Sequence, residues 1–334
     1  MSDFIENQVQ LLLAGQALEN DDICNVHTLA SDTIGMSNHL YGAKSGQLTG
    51  HVPICSKTVT YIVAAVVIND QGEVLMMQEA KASCTGKWYI PAGRVEKNEN
   101  LINAVKREVL EETGLVIAPT TLILVECANG TWFRFVFTGD IVGGVLKTPD
   151  QANEESLQAC WIRNINDLPL RSNDIIYLLD RGTSYVSNKS TSQHPYLMPM
   201  TKPHTKLLLR LVVTSKKRAT NRLHVLISDT EQYNLPICEI NPNRSLLSTL
   251  HSFMTEIFGN DVAQHKPHGL LSIEFSAGQG GDGLCLTLLV SFKLPLEDVP
   301  IIGKYIWHEL SENVAEALAT RLPRNMTVPL KVVR

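Results

Sequence analysis

The chain has 334 residues, enough for two domains, and its 44% hydrophobic and 19% charged content is that of an ordinary globular protein. A formal net charge of −5 argues against a surface built to hold a nucleic-acid polymer; free nucleotides stay open, because a metal ion can supply the positive charge. No apolar run is long enough to span a bilayer, and Met1-Ser2-Asp3-Phe4-Ile5-Glu6 lacks the basic and apolar regions of a secretory signal, so no membrane association is expected.

In chain order, residues 4–19 carry Val9, Leu11, Leu12, Leu13 and Leu18 and read as a short helix. Residues 20–57 are polar and glycine-containing, so residues 1–57 are expected to form a partly disordered leader. The β-branched run 61–68, the turn formers Asn69-Asp70-Gln71-Gly72 and the run 73–79 predict a hairpin. Strands are expected at 121–126, 131–137 and 159–162, with a closing helix over 171–181. Together these give a compact α/β domain at 58–182 with a mixed sheet between helices. A Ser/Thr/Asn/Pro-rich linker follows at 183–203. The seven cysteines are irregularly spaced with no C-x-x-C pair, which suits reduced thiols in a cytoplasmic protein.

Within the first domain, Gly93, Glu99, Arg107, Glu108, Glu111, Glu112 and Gly114 stand at fixed spacing, in the pattern G-x5-E-x7-R-E-U-x-E-E-x-G-U with U a bulky aliphatic residue. Leu101, Ile102, Val105 and Val109 recur at helical spacing across 99–112, with Asn98 as the expected N-cap and Gly114 as the left-handed stop. Glu108, Glu111 and Glu112 then share one face, at the rim of the apolar row. Three close carboxylates repel one another and resist ionisation unless a hard cation joins them. Gly93, after the short strand 88–92, lets a backbone carbonyl approach that cation. Arg107, four residues before Glu111, is placed to hold it. Glu99 either braces the loop against the helix or favours the helix N-terminus. An acidic triplet alone would more often be a solvated face; the fixed glycines and Arg107 reverse that preference.

The C-terminal part, 204–334, repeats the order of elements: a hairpin over 207–213 and 222–227, an amphipathic helix at 246–258 ending at Gly259, and strands over 270–275, 284–292 and 305–307. Pro91 to Gly114 and Pro236 to Gly259 are equally far apart, which matches Gly93 with Cys238, Glu99 with Arg244, Arg107 with Ser252, and Glu108, Glu111 and Glu112 with Phe253, Glu256 and Ile257. One carboxylate survives, so this part is expected to be either a degenerate copy of the first domain, without its metal site, or an unrelated α/β domain.

The spaced pattern resembles the signature of the Nudix hydrolases. Flanking segments, including Gln78-Glu79-Ala80-Lys81, Gly86-Lys87-Trp88-Tyr89-Ile90-Pro91-Ala92-Gly93-Arg94 and Arg134-Phe135-Val136-Phe137, are similar to the animal 8-oxo-(deoxy)guanosine diphosphatases, the third MutT-homologue type. That resemblance implies a Nudix fold and hydrolysis of 8-oxo-dGDP and 8-oxo-GDP to monophosphate and phosphate, which sanitises the nucleotide pool and prevents DNA damage. It implies Mg²⁺, with Mn²⁺ as a possible substitute, and metal ligation by Glu108 and Glu112, with Glu111 as a further ligand or the general base. Glu155, from a later loop, is the alternative base, and Leu75 matches a position associated with substrate. Trp88, Trp132 and Phe135 either stack on a purine or fill the core. Asn129 either meets the purine edge or forms a turn. A small nucleotide is the expected partner, with homo-oligomers possible through the C-terminal part. Two other readings stay open: a Nudix enzyme acting on another nucleoside-diphosphate-linked substrate, and a nucleotide-binding module without catalysis.

Overall fold

The computed structural model describes residues 2–18, 26, 27, 29, 51–187, 193–229, 233–278 and 280–333. Cys24 and much of the expected leader lie outside the described residues.

After helix α1 (Ser2–Leu13), the first half comprises β1 (Thr60–Ala65), β2 (Val74–Glu79), β3 (Trp88–Tyr89), β4 (Ala92–Arg94), α2 (Leu101–Thr113), β5 (Leu115–Ala128), β6 (Trp132–Gly144), β7 (Ser156–Ile162) and α3 (Asp174–Ser187). β5 and β6 are antiparallel, β6 runs parallel to β1, and β4 pairs antiparallel at the edge beyond β1. A smaller sheet has the order β3-β2-β7. The β-branched and aromatic residues of β1 and β6 suit strands covered on both faces. α2 buries Leu101, Ala104, Val105 and Val109. Ile102, expected in that row, is only half-buried.

The second half runs β8 (Leu207–Lys216), β9 (Leu223–Ser228), β10 (Ile237–Glu239), α4 (Leu246–Phe258), β11 (His265–Phe275), β12 (Leu284–Phe292), β13 (Tyr305–Glu309), α5 (Glu312–Ala319) and β14 (Leu330–Val332). Part of its pairing repeats that of the first half, although β8 and β9 join in one sheet where β1 and β2 lie in two. Gly93, Val63, Phe135 and Val125 form one row across β4-β1-β6-β5. Cys238, Leu209, Leu286 and Ile273 form the corresponding row across β10-β8-β12-β11. Leu75 pairs with Trp161 on β2 and β7, as Leu226 pairs with Trp307 on β9 and β13.

The halves exchange edge strands. Leu122 N–H donates to Leu197 O within the first half (2.9 Å), and the same segment then crosses, so that Met200 pairs with Glu274 of β11. Reciprocally, Leu270 N–H donates to Val328 O within the second half (2.8 Å), and β14 crosses to lie parallel to β5. Residues 330–332, expected to belong with the second half, therefore complete the first half's sheet. Residues 183–187, expected in the linker, form the last turn of α3. The pairing of 330–332 covers an edge of β5 that would otherwise expose unpaired N–H and C=O groups, and 183–187 continue the intrahelical bonds of α3. The two halves share one apolar core. α1 lays Ile5, Val9 and Leu12 against Val225, Ile227 and Leu318 of the second half.

Candidate active site

The helix of the signature begins at a different asparagine from the expected one. Asn100 is the N-cap, its side chain accepting from Asn103 N–H at 2.8 Å. Asn98 instead takes φ 63°, the left-handed position that turns the loop. Gly114 closes the helix at φ 75°, its N–H bonding Leu110 O at 2.8 Å.

Arg107 ties the signature together. Its Nε and Nη2 donate to the two oxygens of Glu99, both at 2.9 Å. Nη1 donates to Glu108 (2.8 Å) and Glu111 (3.1 Å), and Nη2 also donates to Arg94 O (3.0 Å). All five guanidinium N–H groups are thus used. Of the two readings of Glu99, the contacts are those of a brace for the loop, held from the helix by Arg107.

The three acids differ in environment. Glu112 is fully buried; one oxygen accepts from Ala92 N–H (2.8 Å) and the other has no hydrogen-bond partner. Burial pushes its carboxyl well above the ordinary range, and the nearby Glu108 adds to that. Glu108 is also buried, and burial raises it despite the Arg107 guanidinium. Glu111 turns outward, its side chain 42% exposed. The expected trio is therefore a buried pair with a third acid at the mouth. A Cβ on Gly93 would overlap the Glu108 carboxylate, so only glycine leaves that space open. A desolvated pair of carboxylates, one oxygen without a partner, beside an unhindered glycine backbone fits a hard divalent cation with oxygen ligands.

Glu108, Glu111 and Gly93 line a cleft of about 1090 Å³ together with Arg107, Trp132 and Glu155, while Glu112 lies buried behind its wall. Its far wall was not foreseen as a unit. Arg134 donates to Tyr89 Oη (2.9 Å) and Asp174 (2.7 Å), bonds Glu126 below, and lies over the Trp132 ring at 5.6 Å. Arg171 covers the Tyr89 ring at 4.8 Å. Burial pushes the Tyr89 hydroxyl up to about 12, so it stays protonated as a donor. Strand alternation held the missing signal: Trp132 and Arg134 are two apart on β6 and share the cleft face, whereas Phe133 and Phe135 point to the core.

Four expected substrate residues, Leu75, Trp88, Phe135 and Asn129, are not among those lining the cleft, and Trp132 is. Leu75 is fully buried in the core, because it faces inward from β2. Trp88 packs in a second apolar cluster, and Phe135 likewise fills core. Asn129 takes φ 53° in the β5–β6 turn, beside Gly130, whose N–H reaches Pro242 O of the second half (3.2 Å). Below the helix, Lys147 donates to Glu111 O (2.6 Å), Asn153 (2.9 Å) and Ser156 (2.9 Å), tying the segment after β6 to the C-terminal turn of α2.

Residues 59–174 match the NUDIX domain family. Over 297 residues the chain is 36% identical to 8-oxo-dGDP phosphatase NUDT18 of Mus musculus, covering 82% of this chain and 87% of the relative. It is 38% identical over 242 residues to the protein of that name from Danio rerio, covering 70% and 73%. To putative nudix hydrolase 1 of Caenorhabditis elegans it is 41% identical over 178 residues, covering 51% and 48%. With the signature assembled as a buried carboxylate pair on α2 and relatives matched over most of their length, the chain belongs to the Nudix hydrolase family.

Proposed function

We propose that this protein hydrolyses oxidised guanine nucleoside diphosphates, 8-oxo-dGDP and 8-oxo-GDP, to the monophosphate and phosphate. The observation that carries the reading is the pairing of buried Glu108 and Glu112 beside Gly93, at one end of a cleft whose other wall is Trp132, Arg134, Tyr89 and Asp174. Relatives matched over most of their length are named for 8-oxo-dGDP. Glu108, Glu112 and the Gly93 backbone would hold Mg²⁺, or Mn²⁺ in its place, and Glu111 would complete the set from the mouth. When bound, the cation supplies charge to the phosphoryl oxygens and acidifies a water.

This chain's own residues do the rest. Arg107 fixes the orientation of Glu108 and Glu111 from one point. The Glu155 carboxylate takes the proton of the attacking water, because Glu111 is engaged by Arg107 at 3.1 Å; base catalysis of this kind contributes about 10²–10⁴-fold. Trp132 and Arg134 present a flat face to the purine, and the Tyr89–Asp174 pair supplies polar partners at its edge. No helix among the described residues is long and apolar enough to cross a membrane, which suits work on a soluble nucleotide pool in the cytoplasm.

Incubation with Mg²⁺ and a panel of diphosphates tests the reading. Phosphate with 8-oxo-dGMP supports it. Two nucleotidyl or sugar phosphates, from dinucleotide or nucleotide-sugar substrates alone, would replace it, as would binding without products.

A further inference from the structure

The repeated element order puts β10 and α4 of the second half in the places that β4 and α2 hold in the first. α4, like α2, has thirteen residues, a capping side chain one position before it (Ser245 for Asn100) and a closing glycine (Gly259 for Gly114). At the place of Glu108 and Glu112 stand Phe253 and Ile257, both fully buried, and at the place of Gly93 stands Cys238. Only Glu256, at the place of Glu111, keeps a carboxylate. In the first half the outer edge of β4 borders the cleft. In the second half the matching edge of β10 is taken by the leader: His27 bridges Cys238 in parallel, its N–H donates to Ile237 O (2.9 Å), and its O accepts from Glu239 N–H (3.3 Å). The His27 ring stacks on Phe253, centroids 5.7 Å apart and planes within 18°, and its Nε2 bonds Glu256. Leu29 is buried in the apolar cluster that includes Phe253 and Met254.

We propose that the groove between β10 and α4 is a catalytic cleft converted into a peptide seat, and that the leader of the same chain, seated through His27, is its occupant. Two of these positions have a counterpart in the leader. Phe253 offers a ring face where Glu108 offers charge, and Glu256 meets an imidazole where Glu111 meets a guanidinium. The strand edge that borders the cleft in the first half gives main-chain hydrogen bonds here. This is recognition by strand addition: backbone bonds give affinity, and the contacts of the His27 ring with Phe253 and Glu256 give selection. The seat accepts an added strand with histidine opposite Cys238, and it holds no nucleotide. One chain therefore has one catalytic cleft and one peptide groove built on the same frame.

Hydrogen exchange of the full chain, wild type against His27→Pro, tests the proposal. Proline removes the N–H that bonds Ile237. The Glu239 amide should exchange at least tenfold faster in the variant while α4 stays protected, and a synthetic peptide spanning residues 22–32 should restore the protection. A second measurement does not depend on that variant: in full-length His27→Cys, mild oxidation should link positions 27 and 238, found by peptide mapping. A Glu239 amide unchanged in His27→Pro, a peptide that restores nothing, or absence of the 27–238 link would each overturn the proposal. Hydrolysis of 8-oxo-dGDP lies in the other half and is not the readout.

Discussion

Arg107 grips Glu99 through two parallel bonds of 2.9 Å while a third nitrogen reaches Glu108 and Glu111. The fork joins the loop before α2 to two of its acids, and a point charge cannot copy it. Arg107→Lys should therefore keep the net charge yet lower kcat/KM about 100-fold, roughly 2.7 kcal/mol of transition-state stabilisation. Glu99→Gln, which keeps one acceptor, should cost about tenfold. Steady-state kinetics on 8-oxo-dGDP decides between a fork and a simple charge: equal activity of the lysine variant and wild type would exclude the fork.

Glu112 separates catalysis from stability. Its folded carboxyl is raised well above the unfolded value, so ionisation works against folding above the unfolded value, and that cost shrinks steadily as pH falls from the folded value to the unfolded one. In metal-free protein the wild type should gain stability on going from pH 7 toward pH 5, and Glu112→Gln should melt at or above the wild-type temperature at pH 7. Turnover of that variant should fall at least 100-fold, on the order expected when a charge-stabilising group is lost. Mn²⁺ should raise the wild-type melting temperature and leave the variant nearly unmoved. A metal-induced shift of equal size in both would remove Glu112 from the ligand set.

How much of this site was legible follows residue type. The glycines, Arg107 and the acids could be read because their spacing on a helix leaves few alternatives. Which asparagine caps that helix could not, because Asn98 and Asn100 have the same chemistry and only the loop path separates them. Leu75 was beyond local pattern: an apolar residue on a strand looks the same whether it faces a substrate or a core. The second half's element order was visible, because its strands and its helix each carry their own apolar pattern. The exchange of Met200 and β14 was not, since a short edge strand has no periodicity of its own. Nor was the seating of His27, because a lone histidine in a polar stretch carries no signal.

Trp132 and Leu75 make a paired test of that distinction. Trp132→Ala should raise KM about tenfold with little change in melting temperature, since the ring lies at the cleft with Arg134 across it. Leu75→Ala should destabilise by about 2–5 kcal/mol through lost burial and a cavity, with KM close to wild type in the folded fraction. Chemical denaturation and Michaelis kinetics on both variants check this; the opposite assignment of effects would return Leu75 to the substrate site.

Lys331 extends the argument to the exchanged strand. From β14 its ammonium bonds Glu126 (3.1 Å), whose other oxygen holds Arg134 (2.7 Å), and it also lies over the Tyr177 ring (3.7 Å). Lys331→Met removes the charge and keeps most of the stem. Glu126 then draws on Arg134 alone, and the guanidinium sits less firmly against Asp174 and Trp132. KM should rise about fivefold, near 1 kcal/mol, with kcat within twofold. A loss confined to kcat would place the effect at the acids instead.

The last prediction concerns Glu274, buried in the second half with Arg210 (3.0 Å), His204 (2.9 Å) and Lys202 (3.9 Å). His204, Glu274 and Cys285 also present potential metal ligands within 4.8 Å of one another. The guanidinium at the carboxylate argues for an ion network there and against a cation. Burial alone would raise the Glu274 carboxyl, but the attraction of Arg210, with His204 and Lys202, outweighs it and holds it at about 2. A depressed value contributes stability that is present above the unfolded value and lost as pH falls through the folded one. The wild type should therefore lose roughly 3 kcal/mol between about pH 5 and pH 2 from this group. Glu274→Gln should lack that portion of the slope and be about 3–5 kcal/mol less stable at pH 7, because Arg210 is left buried without its charge partner. Urea unfolding at a series of pH values measures both. Parallel pH profiles for the two proteins would show that Glu274 is not ionised in the native fold.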